Sequence, residues 1–282
     1  MAAVFFFVTL VCISAYTEND SFQEVVKIDS QTFAGITLPL FGTCIGACFV
    51  FFMKKNINES VNSILSGFAA GIMTAASVWS LLIPSIERSE HLGVYGFIPA
   101  VAGLWSGVVI IMLCDRFLDY MTDKAQSGTA RDKRLSILAV TLHNIPEGMA
   151  VGAIWAANEA DSVAVPVSCA FALSLGVAIQ NIPEGAIVSM PFYAEGKSRL
   201  KSFAYGSASG AVEPVGALLT LVATSFINMF LPCFLSAAAG AMLYVVADNL
   251  IPEMRAGGNR MKGMVSYLLG FSIMMALDVS LG

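Results

Sequence analysis

Charged residues and histidines are both scarce in this 282-residue sequence. Only 12% of the residues are charged and 57% are hydrophobic, whereas soluble domains carry about 25% charged residues. A membrane helix needs about 20 apolar residues, so the chain has room for roughly eight or nine spans and little else. This excludes a large soluble catalytic domain. There is also no basic run interleaved with aromatic residues, which excludes nucleic acid as a partner.

The sequence also lacks the motifs of intramembrane metalloenzymes. Its two histidines are His91 and His143, and neither belongs to a His-Glu-x-x-His or a Glu-x-x-His motif. A zinc peptidase or a di-iron bundle is therefore the less favoured alternative. The six cysteines lie mostly within apolar runs, where a thiol packs as a small hydrophobic group, and they predict no disulfide framework.

Eight apolar segments predict an all-α polytopic membrane helix bundle. They fall at about 33–53, 60–86, 96–116, 135–157, 163–192, 203–228, 232–254 and 262–281. A ninth apolar stretch ends near Ala15 and is short for a span, so residues 1–15 fit a signal peptide, with a first membrane helix as the alternative. Residues 16–32 would form a short extracytosolic segment before an eight-helix domain at 33–282.

The basic residues predict the orientation of the spans. If the eight segments alternate, one side of the membrane receives 13 of the 15 Lys and Arg residues, and the other receives only Lys27 and Arg88. The positive-inside rule then places both termini outside the cytosol. One missed span in the middle would abolish this asymmetry, which favours a count of eight.

A short internal repeat points to a transporter. The second span ends with Leu82-Ile83-Pro84 and the seventh with Leu250-Ile251-Pro252, and the alternating topology puts these copies at opposite faces of the membrane. Such an inverted repeat, with Pro-interrupted helices, is typical of secondary transporters. A match this short could also arise by chance.

Two related hexapeptides place polar side chains inside the membrane. The fourth span contains His-Asn-Ile-Pro-Glu-Gly at 143–148, and the fifth contains Gln-Asn-Ile-Pro-Glu-Gly at 180–185. Residues i and i+4 share a helix face, so His143 stacks with Glu147 and Gln180 with Glu184. Buried acids are costly without a partner. Since no basic side chain is present to neutralise them, a divalent cation is the natural counterion.

Other residues extend this predicted site. Pro146 and Pro183 each remove a backbone N–H and free a carbonyl, although an Asn-x-Pro kink without a ligand role is the alternative. Glu213 in the sixth span is a third acid or a packing carboxylate. In the second span Met73, Ser80 and Glu87 are spaced by seven and predict one stripe along an entry path; Met73 is alternatively a core residue.

At these motifs the sequence resembles the ZIP (Zrt/Irt-like) metal transporters, and most closely their GufA-like branch. The resemblance covers residues 33–282 and rests on the two hexapeptides, Glu-Pro-Val-Gly-Ala at 213–217 and Leu-Ile-Pro-Glu at 250–253. It implies eight helices in a 3+2+3 arrangement, both termini outside, inward movement of a divalent metal, chiefly zinc, and commonly a homodimer. An elevator-like shift of one helix bundle is proposed for the family.

The resemblance also implies a binuclear metal site. One metal would be held by His143, Glu147, Gln180 and Glu184 with Met73 nearby; the other by Asn144, Asn181 and Glu213, with Glu147 and Glu184 bridging; and Ser80 and Glu87 would line the entrance. Two departures from the family stand out. Many members carry a carboxylate at position 181, where an amide is a weaker ligand, and the His-rich loop after the third span is absent.

The sequence thus predicts a transporter of Zn²⁺ and related divalent ions into the cytosol, with no prosthetic group. A passive divalent cation channel stays open as an alternative, because kinked helices and an inverted repeat do not by themselves exclude a pore. Oxygen and amide ligands discriminate poorly among Zn²⁺, Fe²⁺, Mn²⁺ and Cd²⁺. The predicted orientation fits the plasma membrane and an organelle membrane equally.

Overall fold

The computed structural model describes residues 29–52, 59–123, 144–158, 165–194, 196–226, 230–256 and 260–281. Within these ranges every regular element is helical, which confirms the predicted all-α membrane bundle. The predicted signal peptide at 1–15 lies outside the described residues. So does the loop between the third and fourth spans, which carries a large share of the basic residues.

The helices follow the order of the predicted spans. They are α1, Ser30–Ala47, which continues as a 3₁₀ turn at Cys48–Phe51; α2, Glu59–Glu87; α3, Phe97–Asp123; α4, 144–158; α5, Val167–Ala194; α6, in two segments at Arg199–Gly210 and Val212–Phe226; α7, Leu231–Ala256; and α8, Arg260–Leu281.

Seven of the described helices are long and apolar enough to cross a membrane. The eighth is α4, for which the described part covers 144–158 of the predicted span at 135–157. α1 begins earlier than its hydropathy indicates, because the Asp29 side chain accepts a hydrogen bond from the Thr32 backbone N–H at 2.7 Å and caps the helix. This hydrogen bonding lowers the pKa of Asp29.

Small residues bring the helices together in four parallel pairs. Each of the first four helices contains a Gly-x-x-x-Gly motif at its contact: Gly42 and Gly46 of α1 against α5, Gly67 and Gly71 of α2 against α8, Gly103 and Gly107 of α3 against α7, and Gly148 and Gly152 of α4 against α6. A Cβ atom at Gly42 would lie 2.0 Å from the carbonyl oxygen of Ala178, so the two backbones are in direct contact. Such motifs drive close helix association in lipid.

The direction of these pairs agrees with alternating spans. In every pair, residue numbers rise together along both helices; Gly67 lies against Gly263 and Gly71 against Tyr267, for example. Alternation requires this parallel direction, since the two members of each pair are an even number of spans apart. The pairing of α4 with α6 therefore supports a membrane-crossing fourth helix.

The two Leu-Ile-Pro copies are inverted in space as well as in the predicted topology. Ser85, near the end of α2, donates to the carbonyl of Pro232 at the start of α7, and Asn62, near the start of α2, donates to Glu253 near the end of α7. α2 and α7 are thus antiparallel. Each copy also begins at the last residue of a π-helical segment, Ser77–Leu82 in α2 and Val246–Leu250 in α7. These shared features are those expected of an inverted repeat.

The helix pairs form two groups. α1, α4, α5 and α6 pack together and are called the site bundle here, because they contain most of the predicted ligands. α2, α3, α7 and α8 form the second group, the partner bundle. The two groups meet through an extensive contact of α2 with α5 and a smaller contact of α8 with α5. Arg88, directly after α2, also donates to the carbonyl of Ala157 of α4.

Candidate metal centre

The predicted ligands of the fourth, fifth and sixth helices meet inside the site bundle. The side chains of Asn144, Glu147, Gln180, Asn181 and Glu213 are at most 1% exposed, and Glu184 is half-buried. The described polar residues of both hexapeptides therefore face the interior of the same bundle. The structure brings together in one place the polar residues that the sequence scatters over 70 positions.

α4 is held in position by glycine contacts and by one tryptophan. A Cβ atom at Gly148 would lie 2.2 Å from the carbonyl oxygen of Glu213, so α4 lies directly on α6 at the level of the site. Further along α4, the ring of Trp155 occupies the space left by Gly35 of α1, and its Nε1 donates to Ser174 Oγ of α5 at 3.0 Å. These contacts fix the face that α4 presents to α5 and α6.

A break in α6 positions Glu213. The two helical segments of α6 are separated by Ala211, and Glu213 lies in the first turn of the second segment, followed by Pro214. Proline lacks the N–H that an uninterrupted helix would use. At the end of the first segment, a Cβ at Gly210 would lie 2.6 Å from the Thr43 hydroxyl, so this glycine leaves room for Thr43 beside the break.

The carboxylate of Glu213 accepts hydrogen bonds from three helices. Its Oε1 accepts from Thr43 Oγ1 of α1 at 3.1 Å and from Asn144 Nδ2 of α4 at 3.2 Å. Its Oε2 accepts from Asn181 Nδ2 of α5 at 2.8 Å. The amide nitrogens have backbone acceptors as well, the carbonyl of Ser209 for Asn144 at 3.2 Å and that of Pro39 for Asn181 at 3.4 Å. Glu213 is thus the centre of a network that joins all four helices of the site bundle.

Several oxygen atoms of the site have no hydrogen-bond partner. They are Asn144 Oδ1, Asn181 Oδ1, Glu147 Oε2 and Gln180 Oε1, all of them buried, and Gln180 Nε2 is also without a partner. An unsatisfied buried polar atom costs about 1–3 kcal/mol. Four such acceptors in one cluster match the chemistry of a hard or borderline cation, which binds carboxylate and amide oxygens.

Negative charge accumulates in the same place. The carboxyl groups of Glu147, Glu184 and Glu213 are close enough to repel one another when they are ionised. The sequence has no Lys or Arg between Arg134 and Lys197, a stretch that includes α4 and α5. A divalent cation would neutralise this cluster where no side chain of these helices can.

The other predicted site residues are the ligands His143 and Met73 and the entrance residues Ser80 and Glu87. His143 lies outside the described residues. Met73 is buried in α2, and Ser80 is 5% exposed and donates to Asp278 Oδ1 of α8 at 2.5 Å. Glu87 is exposed. The π-helical segment Ser77–Leu82 changes the helical register between Met73 and Glu87, so a spacing of seven no longer places these residues on one straight stripe.

In the described part of the chain, no three His, Cys, Asp or Glu side chains are grouped closely enough to hold a metal by themselves. The described part of the site is therefore a mixed cluster in which amide oxygens accompany the acids. The sequence did not predict a role for Thr43, because its hydrogen bond to Glu213 depends on the packing of α1 against α6. The Gly-x-x-x-Gly motif around it, Gly42 and Gly46, is the signal that places this turn of α1 at a close helix contact.

Comparisons with known proteins all point to one family of zinc transporters. A family model described as ZIP zinc transporter matches residues 133–278. Zinc transporter ZIP11 of Xenopus tropicalis is 32% identical over 89% of this chain and 97% of its own length. Zinc transporter ZIPB of Bordetella bronchiseptica is 33% identical over 85% of this chain and 78% of its own length. Zinc transporter GufA of Myxococcus xanthus is 33% identical over 77% of this chain and 85% of its own length.

Proposed function

Because the chain belongs to the ZIP zinc transporter family, a family of transporters and not of enzymes, we propose that it carries Zn²⁺ and related divalent ions into the cytosol. The observation that carries this proposal is the cluster of buried, unpartnered oxygens beside three acids. Left empty, such a cluster is costly inside a membrane. Binding a divalent ion satisfies the oxygens and the charge together.

The proposed site is binuclear. The first metal would bind His143, Glu147, Gln180 and Glu184, with Met73 approaching from α2. The second would bind the Oδ1 atoms of Asn144 and Asn181, with Glu147 and Glu184 shared between the two metals. Glu213 belongs to this second position through the two amides to which it is hydrogen-bonded.

The charge distribution supports the proposed orientation of the chain, and inward movement of the metal is the direction that the family resemblance implies. With alternating spans, the positive-inside rule places the loops after α1, α3, α5 and α7 in the cytosol and both termini outside. Ser80 and Glu87 lie toward the end of α2, which this orientation places outside. We propose that these two residues line the entrance and that the cytosolic ends of α4 and α5 form the exit. A homodimer, implied by the family resemblance, is also part of the proposal.

Uptake by reconstituted protein tests the function. Proteoliposomes containing the chain should accumulate Zn²⁺ in a saturable manner, and Cd²⁺, Mn²⁺ and Fe²⁺ should compete to different degrees. A carrier should also show faster uptake when the opposite side is preloaded with metal, whereas a passive channel should show neither saturation at low concentration nor this acceleration. Absence of uptake above that of empty vesicles would reject the proposal.

The proposed orientation predicts the accessibility of two exposed loop residues. His91 lies between α2 and α3, and Lys197 lies between α5 and α6. A membrane-impermeant maleimide added to intact cells should label His91→Cys and should label Lys197→Cys only after the membrane is opened. The parent chain, treated in the same way, gives the background labelling of the native cysteines. The reverse pattern would invert the proposed orientation of the chain and would exchange the proposed entrance and exit.

A further inference from the structure

Three described side chains donate to Glu213, and Thr43 is the one among them that belongs to no metal-site motif. Its side chain is 1% exposed and lies where α1, α5 and α6 meet. Gly210 of α6 leaves space for its side chain, and a Cβ at Gly185 of α5 would lie 2.1 Å from its carbonyl oxygen. The backbones of α5 and α6 therefore pack directly against Thr43 on two sides.

The Thr43 hydroxyl has two acceptors within reach, and they differ in distance. Glu213 Oε1 is at 3.1 Å, and the carbonyl of Pro39, one helical turn back, is at 3.5 Å. Threonine in a helix ordinarily bonds back to the i−4 carbonyl. Here the shorter contact is with a carboxylate, the stronger acceptor when ionised. The hydroxyl therefore holds Glu213 in place.

Glu213 in turn determines where the amides point. Because the nitrogen and oxygen of an amide are attached to the same carbon, a hydrogen bond from each Nδ2 to Glu213 directs each Oδ1 away from that carboxylate. The Oδ1 atoms of both Asn144 and Asn181 are buried and have no partner. Glu213, which only accepts hydrogen bonds when it is ionised, favours this orientation of both amides together with the backbone carbonyls of Ser209 and Pro39.

We propose that Thr43 is a positioning residue for the second metal: it fixes the carboxylate of Glu213, which turns the oxygens of Asn144 and Asn181 toward the metal. In this assignment Glu213 acts on the second metal through the two amides. The inference rests on the proposed function, since it assigns a role at the same site. Partners of metal ligands typically change affinity or activity by about 10–100-fold when they are removed.

Titration of the purified chain with Cd²⁺ and Zn²⁺ in a calorimeter tests the assignment. The parent should bind two metal ions per chain with distinct affinities. Thr43→Val keeps the shape of the side chain but loses the hydroxyl, and it should weaken the second binding event by about 10–100-fold while the first stays within about threefold. Thr43→Ser should restore the parent behaviour. Thr37→Val, at a half-buried position of α1 where the hydroxyl donates to carbonyls of its own helix, serves as the matched control.

A double-mutant cycle separates positioning from structural damage. In a Glu213→Leu background, which leaves Thr43 no acceptor at position 213, Thr43→Val should add no further loss of affinity, because the two residues act in series. Parent-like binding of two metals by Thr43→Val, equal weakening of both binding events together with a lower melting temperature, or additive losses in the cycle would each overturn the assignment. If the parent itself binds no metal, the proposed function fails instead, so the two failures are distinguishable.

Discussion

Replacement of Glu147 or Glu184 by alanine is expected to abolish metal uptake and leave a folded protein in the membrane. Both acids are proposed to touch both metals, so either substitution removes a ligand from each position. Uptake into proteoliposomes should fall by at least about 100-fold, since even the partners of metal ligands affect activity by about 10–100-fold. Folding should persist, because the change removes one of three mutually repelling carboxyls.

The matched control is Glu90→Ala. Glu90 is an exposed acid in the loop between α2 and α3, outside the site, and its removal should leave the uptake rate unchanged. Each variant is quantified by its elution on size exclusion in detergent, and its uptake is expressed per folded molecule. A Glu147→Ala or Glu184→Ala protein that transports Zn²⁺ at the parent rate would contradict the binuclear site.

The span boundaries were largely predictable, and the reason is physical. Inside lipid each backbone N–H and C=O must be satisfied within the segment, so a long apolar run is constrained to be helical. The predicted span at 262–281 corresponds to Arg260–Leu281 in the structure. Two of the remaining differences come from polar groups that cap helix starts. Asp29 extends α1 at its start, and Ser198 caps α6 ahead of its apolar run.

The arrangement of the helices was only partly predictable. The Leu-Ile-Pro copies indicated an inverted repeat, and the antiparallel contacts of α2 with α7 agree with it. Which helix pairs with which could not be read from hydropathy, because lipid-facing and helix-facing positions are both apolar. Nor could the π-helical segments be foreseen, and Ser77–Leu82 is why the spacing of Met73, Ser80 and Glu87 does not translate into a straight stripe.

The site itself was predictable to the extent that it is local. Spacing within each hexapeptide is enough to place Gln180 and Glu184 on one face of α5. The role of the amide at position 181 was not predictable in this way. From the sequence, Asn181 is a weaker ligand than a carboxylate. The structure shows that the Nδ2 of Asn181 donates to Glu213 at 2.8 Å. A carboxylate at position 181 would replace this hydrogen bond by a repulsion between two acids.

Enlarging Gly107 is expected to damage the fold severely without touching the metal site. A Cβ at Gly107 would lie 1.9 Å from the carbonyl oxygen of Ala237, and backbone cannot move aside as a flexible side chain can. Gly107→Ala should separate α3 from α7 at a cost of about 1–3 kcal/mol, the usual range for overpacking. Gly107→Leu should prevent this pair from forming and yield little monodisperse protein.

The melting temperatures of both variants in detergent are compared with that of Ile110→Leu. This control changes an apolar side chain at an exposed position of the same helix. Ile110→Leu should melt like the parent. Since Gly107 belongs to the partner bundle and the proposed ligands lie mainly in the site bundle, the Gly107→Ala molecules that fold should bind Cd²⁺ with nearly parental affinity. A Gly107→Leu chain with the parent's yield and melting temperature would show that α3 and α7 are not in backbone contact, and the parallel pairing of the helices would have to be revised.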